Sequence, residues 1–314
     1  MARKPRRIAV DYAVYLAVRM LVCAIQALPG RLPFQVADWL GWLAYRVDKR
    51  HRAVAAENLR FAFPELANRP DRIDRLVRDS YRHIALVAIE IALLPRKLHV
   101  TSWRRYASLH LALDFVAPLY SPRAALFVTG HFGNWEVAGW MMGLFGFKTF
   151  AIARVLDNPF LERYLKRFRQ ATGQTIIAKK DDFDRLTEAL KKGGKVATLA
   201  DQDAGPRGLF VEFFGRPAST HKAVALMAIE FDAPLVVIGI PRVAEPMFYS
   251  AVCEDVIDPR DYADRPDAVA AMTQRYSAAL ERIIRRHPEQ YFWFHRRWKH
   301  QPAKRERKPL AKAA

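Results

Sequence analysis

Short β-like runs alternate with helical patterns through the middle of this chain, and that alternation constrains its fold more than any other feature of the sequence. We predict strands at residues 124–129, 151–154, 195–200, 235–241 and 250–253. Apolar side chains at helical spacing predict helices at residues 135–144, 158–172, 183–192, 222–231 and 266–286. Such alternation is typical of an α/β domain, so we expect a mixed sheet flanked by helices.

Two more helices are predicted ahead of this region. Residues 33–47 form an aromatic-rich helical pattern, which suits packing on a globule or lying at a membrane interface. Residues 71–94 carry apolar side chains at helical spacing, with Pro70 before them. We expect Pro95 to end this second helix.

The N-terminal segment has the features of a membrane anchor. Four cationic side chains in residues 1–7 precede an apolar stretch, residues 8–28, that is about long enough to cross a bilayer. Asp11 and Arg19 interrupt this stretch, so a tilted or interfacial helix and a true span both remain open. A cleaved signal peptide is disfavoured because no A-x-A site follows, and an ordinary buried helix is the remaining alternative.

The chain is therefore predicted to have three parts. Residues 1–30 form the basic segment and the anchor helix, and residues 31–300 form a single α/β domain. Residues 301–314 combine a charge run with two prolines and lack apolar periodicity. We expect this last part to be a disordered basic tail.

The charge balance predicts attraction to polyanions. Lys and Arg number 51 against 32 Asp and Glu, which gives a formal net charge of +19 and a pI near 10.2. Nucleic acid, an anionic membrane, and acidic partners or phosphorylated substrates all fit this charge. The only cysteines, Cys23 and Cys253, are far apart in apolar surroundings, so we expect neither a disulfide framework nor a zinc cluster. A reducing cytoplasmic compartment fits this usage.

The segment ALFVTGHFGNWEVAGW, at residues 125–140, is the most informative for chemistry. A buried strand ends just before His131 and gives way to a helix that Asn134 can cap, which leaves the imidazole at the mouth of a cleft. Glu136 lies in the first helical turn and is expected to fold back onto His131. The H-x4-E spacing thus offers a general base with a carboxylate that fixes its tautomer.

This arrangement suits acyl transfer to a hydroxyl. The motif holds no serine or cysteine nucleophile, so we favour direct attack by the acceptor hydroxyl on a thioester over a covalent acyl-enzyme. A metal site is the weaker interpretation because no nearby His or Cys pattern supplies further ligands. We therefore predict no metal and no other cofactor. As a bare pattern, H-x4-E is common, and chance or a structural histidine explains it more often than catalysis does.

Several blocks, in order along nearly the whole chain, resemble the bacterial lipid A biosynthesis lauroyl/myristoyl acyltransferases, a branch of the lysophospholipid acyltransferase-like superfamily. The segment GHFGNWE is similar to the family's H-x4-D/E catalytic motif. The other blocks are ENLRFAFPE at residues 57–65, DNPFLERYLKRFRQATG at 157–173, LADQDAGPRGLFVEFFGRPAST at 199–220, the strand at 235–241 and PEQYFWFHRRWK at 288–299.

The resemblance implies roles for individual residues. His131 and Glu136 are expected to be catalytic. The residues expected to bind substrate are Asn134, Arg154, Arg169, Asp201 and Asp203. Of these, Arg169 would help organise the active site, and the two aspartates would bind the sugar or order this arginine. Phe213 and Phe214 are expected to form a wall for the acyl chain.

The resemblance also implies an activity and a location. The enzyme would move a fatty acyl chain from acyl carrier protein, or from acyl-CoA, to a hydroxyl of a lipid A precursor, at the cytoplasmic face of the inner membrane. Backbone N–H groups at residues 130–134, or Arg169, would stabilise the oxyanion. The aromatic and basic residues at 291–300 are expected to form an interface belt or a clamp for phosphates and the carrier.

Two alternatives remain at this point. The same machinery could acylate another membrane lipid, such as a glycolipid, an ornithine lipid or a lysophospholipid. A basic nucleic-acid-binding protein would explain the charge and would use residues 291–300 as a stacking platform. That second alternative leaves GHFGNWE and the apolar N-terminal stretch unexplained, so we do not expect nucleic acid as a partner.

Overall fold

The computed structural model describes residues 7–109, 113–178 and 182–302. Residues 1–6 and the tail from residue 303 lie outside the described residues. The predicted disorder of the tail, and the predicted division at residues 30 and 300, therefore stay predictions.

A mixed sheet forms the centre of the fold, as the sequence predicts. The strands in the described part of the chain are β1 (Ala107–Leu109), β2 (Ala125–Thr129), β3 (Thr149–Ala153), β4 (Thr175–Ala178), β5 (Lys195–Leu199), β6 (Leu209–Phe213), β7 (Arg216–Thr220), β8 (Leu235–Gly239) and β9 (Tyr249–Ile257). Seven of them form one sheet in the order β1-β9-β8-β2-β5-β3-β4, and β6 and β7 form a separate antiparallel hairpin. Neighbours in the large sheet are parallel except β8 and β9.

Helices cover both faces of the sheet. Those in the described residues are α1 (Ile8–Ala27), α2 (Leu32–Val47), α3 (Lys49–Ala62), α4 (Pro70–Lys97), α5 (Leu113–Tyr120), α6 (Trp135–Leu144), α7 (Pro159–Gln170), α8 (Phe183–Lys191), α9 (Ala223–Glu230) and α10 (Ala268–Arg286). Leu126 and Val128 of β2 join the core that includes α9 and α10, whereas Phe127 joins a second cluster with α5. Because both faces are covered, β2 is a continuous apolar run rather than an alternating one.

The predicted elements are largely confirmed. The helix α6 has the predicted bounds, and β2, β5 and β8 each begin or end within two residues of the predicted positions. Pro95 does not end α4, which continues to Lys97. A proline costs this last turn one backbone hydrogen bond, but Leu93 and Leu94 are buried in the core and hold the turn in place. The strand β4 and the hairpin β6–β7 were not predicted.

The expected lipid-facing role of two aromatic segments is wrong. Phe213 and Phe214 are buried, and their rings pack edge-on against each other. The Phe214 ring packs edge-on against the indole rings of Trp293 and Trp298, and the Phe213 ring packs at a tilt against Trp298. In the cluster at residues 291–300, Trp293 and Arg297 are each only 1% exposed. These buried side chains belong to the protein core and are not available to an interface belt. Arg296 and Lys299 remain exposed, so the alternative, a clamp for phosphates and the carrier, stays a prediction.

The N-terminal helix α1 lies along the surface of the domain. It is long and apolar enough to cross a membrane, and only 6% of its apolar window is buried. Near its start, the Asn158 side-chain amide donates to the Asp11 carbonyl oxygen at 2.8 Å. Near its end, the Gln26 amide donates to the Ala92 carbonyl oxygen at 2.7 Å. Both ends of α1 are thus attached to the domain, while one apolar face remains exposed.

Candidate active site

Two loops meet at the carboxyl ends of adjacent parallel strands. Strands β2 and β5 run in register, with Thr129 opposite Leu199, and the Ala200 amide donates to the Thr129 carbonyl oxygen at 2.9 Å. His131 and Asp201 each follow their strand by two residues. Because parallel strands end at the same edge of a sheet, residues that are 70 positions apart in the sequence become neighbours here.

Asp201 binds His131 through both of its carboxylate oxygens. One oxygen accepts the His131 backbone N–H, and the other contacts Nδ1 of the imidazole, each at 2.8 Å. A side chain at Gly130 would place its Cβ 3.2 Å from this carboxylate, so glycine leaves the space that the contact requires. The Asp201 side chain is fully buried, whereas the imidazole is 22% exposed.

The two groups stabilise each other's charged forms. Burial would lower the pKa of His131, but the charge and hydrogen bond of Asp201, with a smaller effect from the Glu136 charge, raise it above its ordinary value of 6.5. Burial would raise the pKa of Asp201, but the charge and hydrogen bonds of His131 hold it well below its ordinary range. An ionised Asp201 can only accept, so Nδ1 carries a proton and Nε2 is free to accept one.

The expected contact between Glu136 and His131 is wrong. Glu136 instead forms a two-point ion pair with Arg169, with Nε donating to Oε2 at 3.0 Å and Nη2 donating to Oε1. The expectation that the aspartates order this arginine is wrong for the same reason. Glu136 projects from the first turn of α6 toward α7, so it faces Arg169 rather than the imidazole. The Arg169 pKa is raised because this carboxylate outweighs the effect of burial.

Hydrogen bonds to two other segments of the chain hold the loop between β2 and α6 in place. Gly133 has a φ of +57°, and its N–H donates to the Gln290 carbonyl oxygen at 3.0 Å. The N–H of Asn134 donates to the Ile240 carbonyl oxygen at 3.0 Å, and its side chain caps α6 at Val137 as predicted. Asn134 is 0% exposed, so it supports the loop and does not reach substrate.

A buried ion pair lies under Asn134. The Asn134 amide donates to Oε2 of Glu90 at 2.9 Å, and Arg242 binds the same carboxylate through Nε and Nη2. The Glu90 side chain is fully buried. Sequence reasoning missed this pair, although a single acidic residue within the apolar run IALVAIEIALL was a signal that could have found it.

Aromatic side chains surround the exposed edge of the imidazole. The Trp135 ring lies 5.2 Å from the His131 ring and the Phe292 ring lies 6.0 Å away. The Phe292 N–H also donates to the His131 carbonyl oxygen at 2.9 Å. His295 stacks on Phe292 and is half-buried, and the loss of solvent around its ring lowers its pKa. The segment predicted as a lipid belt therefore forms a wall of this site.

Two other predicted substrate ligands lie apart from His131 and its partner. Asp203 contacts Nδ1 of His300 at 2.7 Å and accepts the Gly205 N–H at 3.2 Å, which holds the loop after β5. Arg154 is 82% exposed and has only a 3.7 Å contact to Asp157. Within the described residues, no group of three or more His, Cys, Asp or Glu side chains is arranged to hold a metal ion.

Two cavities extend from this site along α6. A narrow cavity of about 80 Å³ is lined by Glu136 and Arg169 together with residues of β2, β3 and β5. A second cavity of about 310 Å³ has a mainly apolar lining, and Ala138, Met142 and Ile238 line both. The two cavities therefore adjoin at these three residues.

Comparison with known proteins identifies the family. The family model of the bacterial lipid A biosynthesis acyltransferases matches residues 1–300. The chain belongs to this family. It is therefore an acyltransferase, and the resemblance inferred from the sequence blocks is confirmed.

Two lipid A biosynthesis relatives cover most of the chain, and a third relative covers about half of it. The lipid A biosynthesis lauroyltransferase of Escherichia coli is 25% identical over 93% of this chain and 92% of its own length. The lipid A biosynthesis palmitoleoyltransferase of the same organism is 26% identical over 87% of this chain and 88% of its own length. A phosphatidylinositol mannoside acyltransferase of Mycobacterium tuberculosis is 27% identical over 46% of this chain and 48% of its own length. A solved 1-acyl-sn-glycerophosphate acyltransferase of Thermotoga maritima aligns with a TM-score of 0.34 and 14% identity over 73% of this chain and 98% of its own.

Proposed function

We propose that this acyltransferase moves a fatty acyl chain from an acyl thioester to a hydroxyl of a lipid A precursor, with His131 as general base. The observation that carries the proposal is the contact of the buried Asp201 carboxylate to Nδ1 of His131, whose imidazole remains 22% exposed. Relatives that cover most of the chain are named as lipid A acyltransferases, which supports this acceptor.

The geometry supports a direct transfer. Nδ1–H donates to Asp201, so Nε2 takes the proton of the acceptor hydroxyl while the oxygen attacks the thioester carbonyl. The resulting oxyanion collapses to the ester and expels the thiolate, which takes the proton back from the imidazolium. Asp201 holds the tautomer and stabilises the imidazolium between these two proton transfers.

The oxyanion is best stabilised by Arg169. The N–H groups of His131, Gly133 and Asn134 already donate to protein acceptors, so these three are not free for the oxyanion. Arg169 is 20% exposed and is positioned by Glu136, which makes Glu136 a positioning residue for this cation. The acyl chain would occupy the apolar cavity beyond Met142.

The donor and the membrane complete the proposal. We expect acyl carrier protein to be the thioester carrier, because it is acidic and the chain is strongly basic, and acyl-CoA to be the alternative. The exposed apolar face of α1 supports binding to the cytoplasmic face of the inner membrane. A second candidate acceptor, another membrane glycolipid, is supported by the partial similarity to the mannoside acyltransferase.

Transfer with purified components tests the proposal. Wild-type protein in uncharged detergent would be incubated with an under-acylated lipid A precursor and either acyl carrier protein or CoA carrying the same radiolabelled chain. We expect label in the lipid with acyl carrier protein, and none with His131→Ala. Label from acyl-CoA but not from acyl carrier protein would make CoA the donor. If correctly folded protein labels none of the lipids tested, the proposed function is contradicted.

A further inference from the structure

A groove of about 560 Å³ lies between the anchor helix α1 and the helix α7. Its lining combines aromatic rings with three arginines, Arg19, Arg163 and Arg167, and includes no acidic side chain. Arg19 lies over the Tyr164 ring, 4.7 Å from its centroid, and this contact leaves the edge of its guanidinium open. The groove is thus a concentrated positive charge beside an apolar helix.

These three cations have no acidic partner among the described residues. Within the described residues, none of the three has a carboxylate within 4.0 Å, whereas Arg123, Arg275 and many others do. Arg163 and Arg167 are one helical turn apart on the same face, so their like charges repel each other. A bound anion between them would remove this repulsion, which indicates a ligand rather than a structural role.

We propose that this groove binds the phosphate group of a membrane lipid, namely a phosphate monoester on the headgroup of the acceptor. The guanidinium fork suits phosphate oxygens, and a monoester offers more charge and more free oxygens than a diester. The identification of this lipid as the acceptor rests on the proposed function, whereas the binding of a phosphate monoester does not depend on it.

The neighbouring surfaces favour a lipid over a soluble phosphate. The groove has α1 as one wall, and α1 exposes Val14, Leu16 and Leu21 to the surroundings. With that face in the membrane, the groove would open at the level of the headgroups, where a lipid phosphate is concentrated. A phosphate group of the acyl donor would have to pass along α1 to enter the groove.

The groove is also close to the candidate active site. Trp140 of α6 and Phe168 of α7 line the groove, and their ring centroids lie 5.1 Å apart in a stacked arrangement. Arg169 directly follows Phe168, and Glu136 lies one turn before Trp140. Arg163 and Arg169 are six residues apart, which corresponds to about 9 Å along a helix. A headgroup held by Arg163 and Arg167 could therefore present its hydroxyl toward His131.

Lipid titration into the full-length protein in uncharged detergent tests the proposal. Short-chain dioctanoyl phosphatidic acid, a monoester, would be compared with dioctanoyl phosphatidylglycerol, a diester, by calorimetry. We expect wild type to prefer the monoester, and Arg163→Gln/Arg167→Gln to lose about tenfold or more in affinity for it. The matched control is Arg72→Gln/Arg75→Gln, which removes the same charge from an exposed face near the start of α4 and should keep the preference.

Each outcome decides the matter. Equal binding of both lipids by wild type, or an unchanged preference in a folded Arg163/Arg167 variant, would overturn the proposal. If CoA competes with phosphatidic acid and binds more tightly to wild type than to the same variant, the groove serves the donor and the lipid assignment is wrong. Because no acyl transfer is measured, a monoester preference without transfer activity would count against the proposed function alone.

Discussion

Asp201 determines which nitrogen of His131 can take a proton. Its buried carboxylate contacts Nδ1 at 2.8 Å, and its charge raises the pKa of the imidazole. Both effects act on the candidate base directly, whereas Glu136 acts on it only through its charge. At the scale of single residues, the account therefore depends more on Asp201 than on the second residue of the H-x4-E motif.

Replacing Asp201 by Asn is expected to lower kcat by about 10³-fold or more, because the tautomer with a free Nε2 is lost. The pH profile of kcat/KM provides a second readout. His131 must be neutral to accept a proton, so wild-type activity should rise with pH through a pKa above 6.5. Without the carboxylate this pKa falls, so the acid limb should move to lower pH.

The matched control for this change is Asp203→Asn, whose carboxylate contacts His300 instead of His131. It should leave the acid limb in place. An acid limb that does not move in the Asp201 variant would contradict the assignment of this limb to the His131–Asp201 pair.

The ion pair between Glu136 and Arg169 is expected to act as one unit. If Glu136 serves to position Arg169, then Glu136→Ala and Arg169→Ala should each lower kcat/KM by about 10²-fold, with a double variant no worse than Arg169→Ala alone. A double-mutant cycle on kcat/KM measures this directly. Additive losses would mean that Glu136 has a separate role, such as the direct contact to His131 that the sequence suggested.

Sequence reasoning selected residues of the candidate site and assigned some of them the wrong partners. His131, Arg169 and Asp201 were all selected, but the short H-x4-E spacing from the loop into the first turn of α6 made Glu136 the obvious partner for His131. Asp201 is 70 positions away, and only the pairing of β2 with β5 brings it to the imidazole. Proximity in sequence is visible in a motif, whereas strand order is not.

At the scale of elements, the loop from β2 to α6 needs glycine at one position. A Cβ at Gly133 would lie 2.0 Å from the Ile240 carbonyl oxygen, and the φ of +57° is unfavourable for any other residue. We expect Gly133→Ala to destabilise the folded protein by about 3 kcal/mol or more, since the backbone must shift. Thermal unfolding in detergent measures the loss.

Gly146, at the end of α6, is the control for backbone conformation alone. Its φ is +86°, but no atom lies within 4 Å of an added Cβ. Gly146→Ala should therefore cost only about 1–2 kcal/mol. Equal losses at Gly133 and Gly146 would show that the close approach to Ile240 is not rigid.

Predictability also differed among elements. Helix α6 was predicted with its observed bounds because Asn134 caps its start and an apolar run follows the cap. The hairpin β6–β7 was not predicted, although Gly215, with a φ of +69°, lies at its turn. Its pairing residues form a small sheet that covers the core aromatics, and this long-range packing has no local sequence signal.

At the scale of the whole molecule, α1 is attached to the domain at both ends. Asp11 and Gln26 are 15 residues apart, or about 22 Å along a helix, and each is hydrogen-bonded to the domain surface. A helix that crosses the membrane would carry α7, with Arg163 and Arg167, into the hydrocarbon core at high cost. We therefore expect α1 to lie in the interface rather than to span it.

Cysteine labelling tests this topology. In a background with Cys23 and Cys253 replaced by Ala, Ile8→Cys and Leu32→Cys would be exposed to an impermeant maleimide in inverted inner-membrane vesicles. Both positions are exposed on the domain and should be labelled from the cytoplasmic side. Labelling of one position from inverted vesicles and of the other only from intact spheroplasts would contradict the interfacial arrangement.

The central claim is acyl transfer to a lipid A precursor by His131, and mass spectrometry of cellular lipids tests it most directly. A host that lacks its own late acyltransferases would express either wild-type protein or His131→Ala, with equal amounts confirmed in the membrane fraction. The account predicts a lipid A species heavier by one acyl chain with wild type and its absence with the variant. Unchanged lipid A in cells that contain folded, membrane-bound wild-type protein would contradict it.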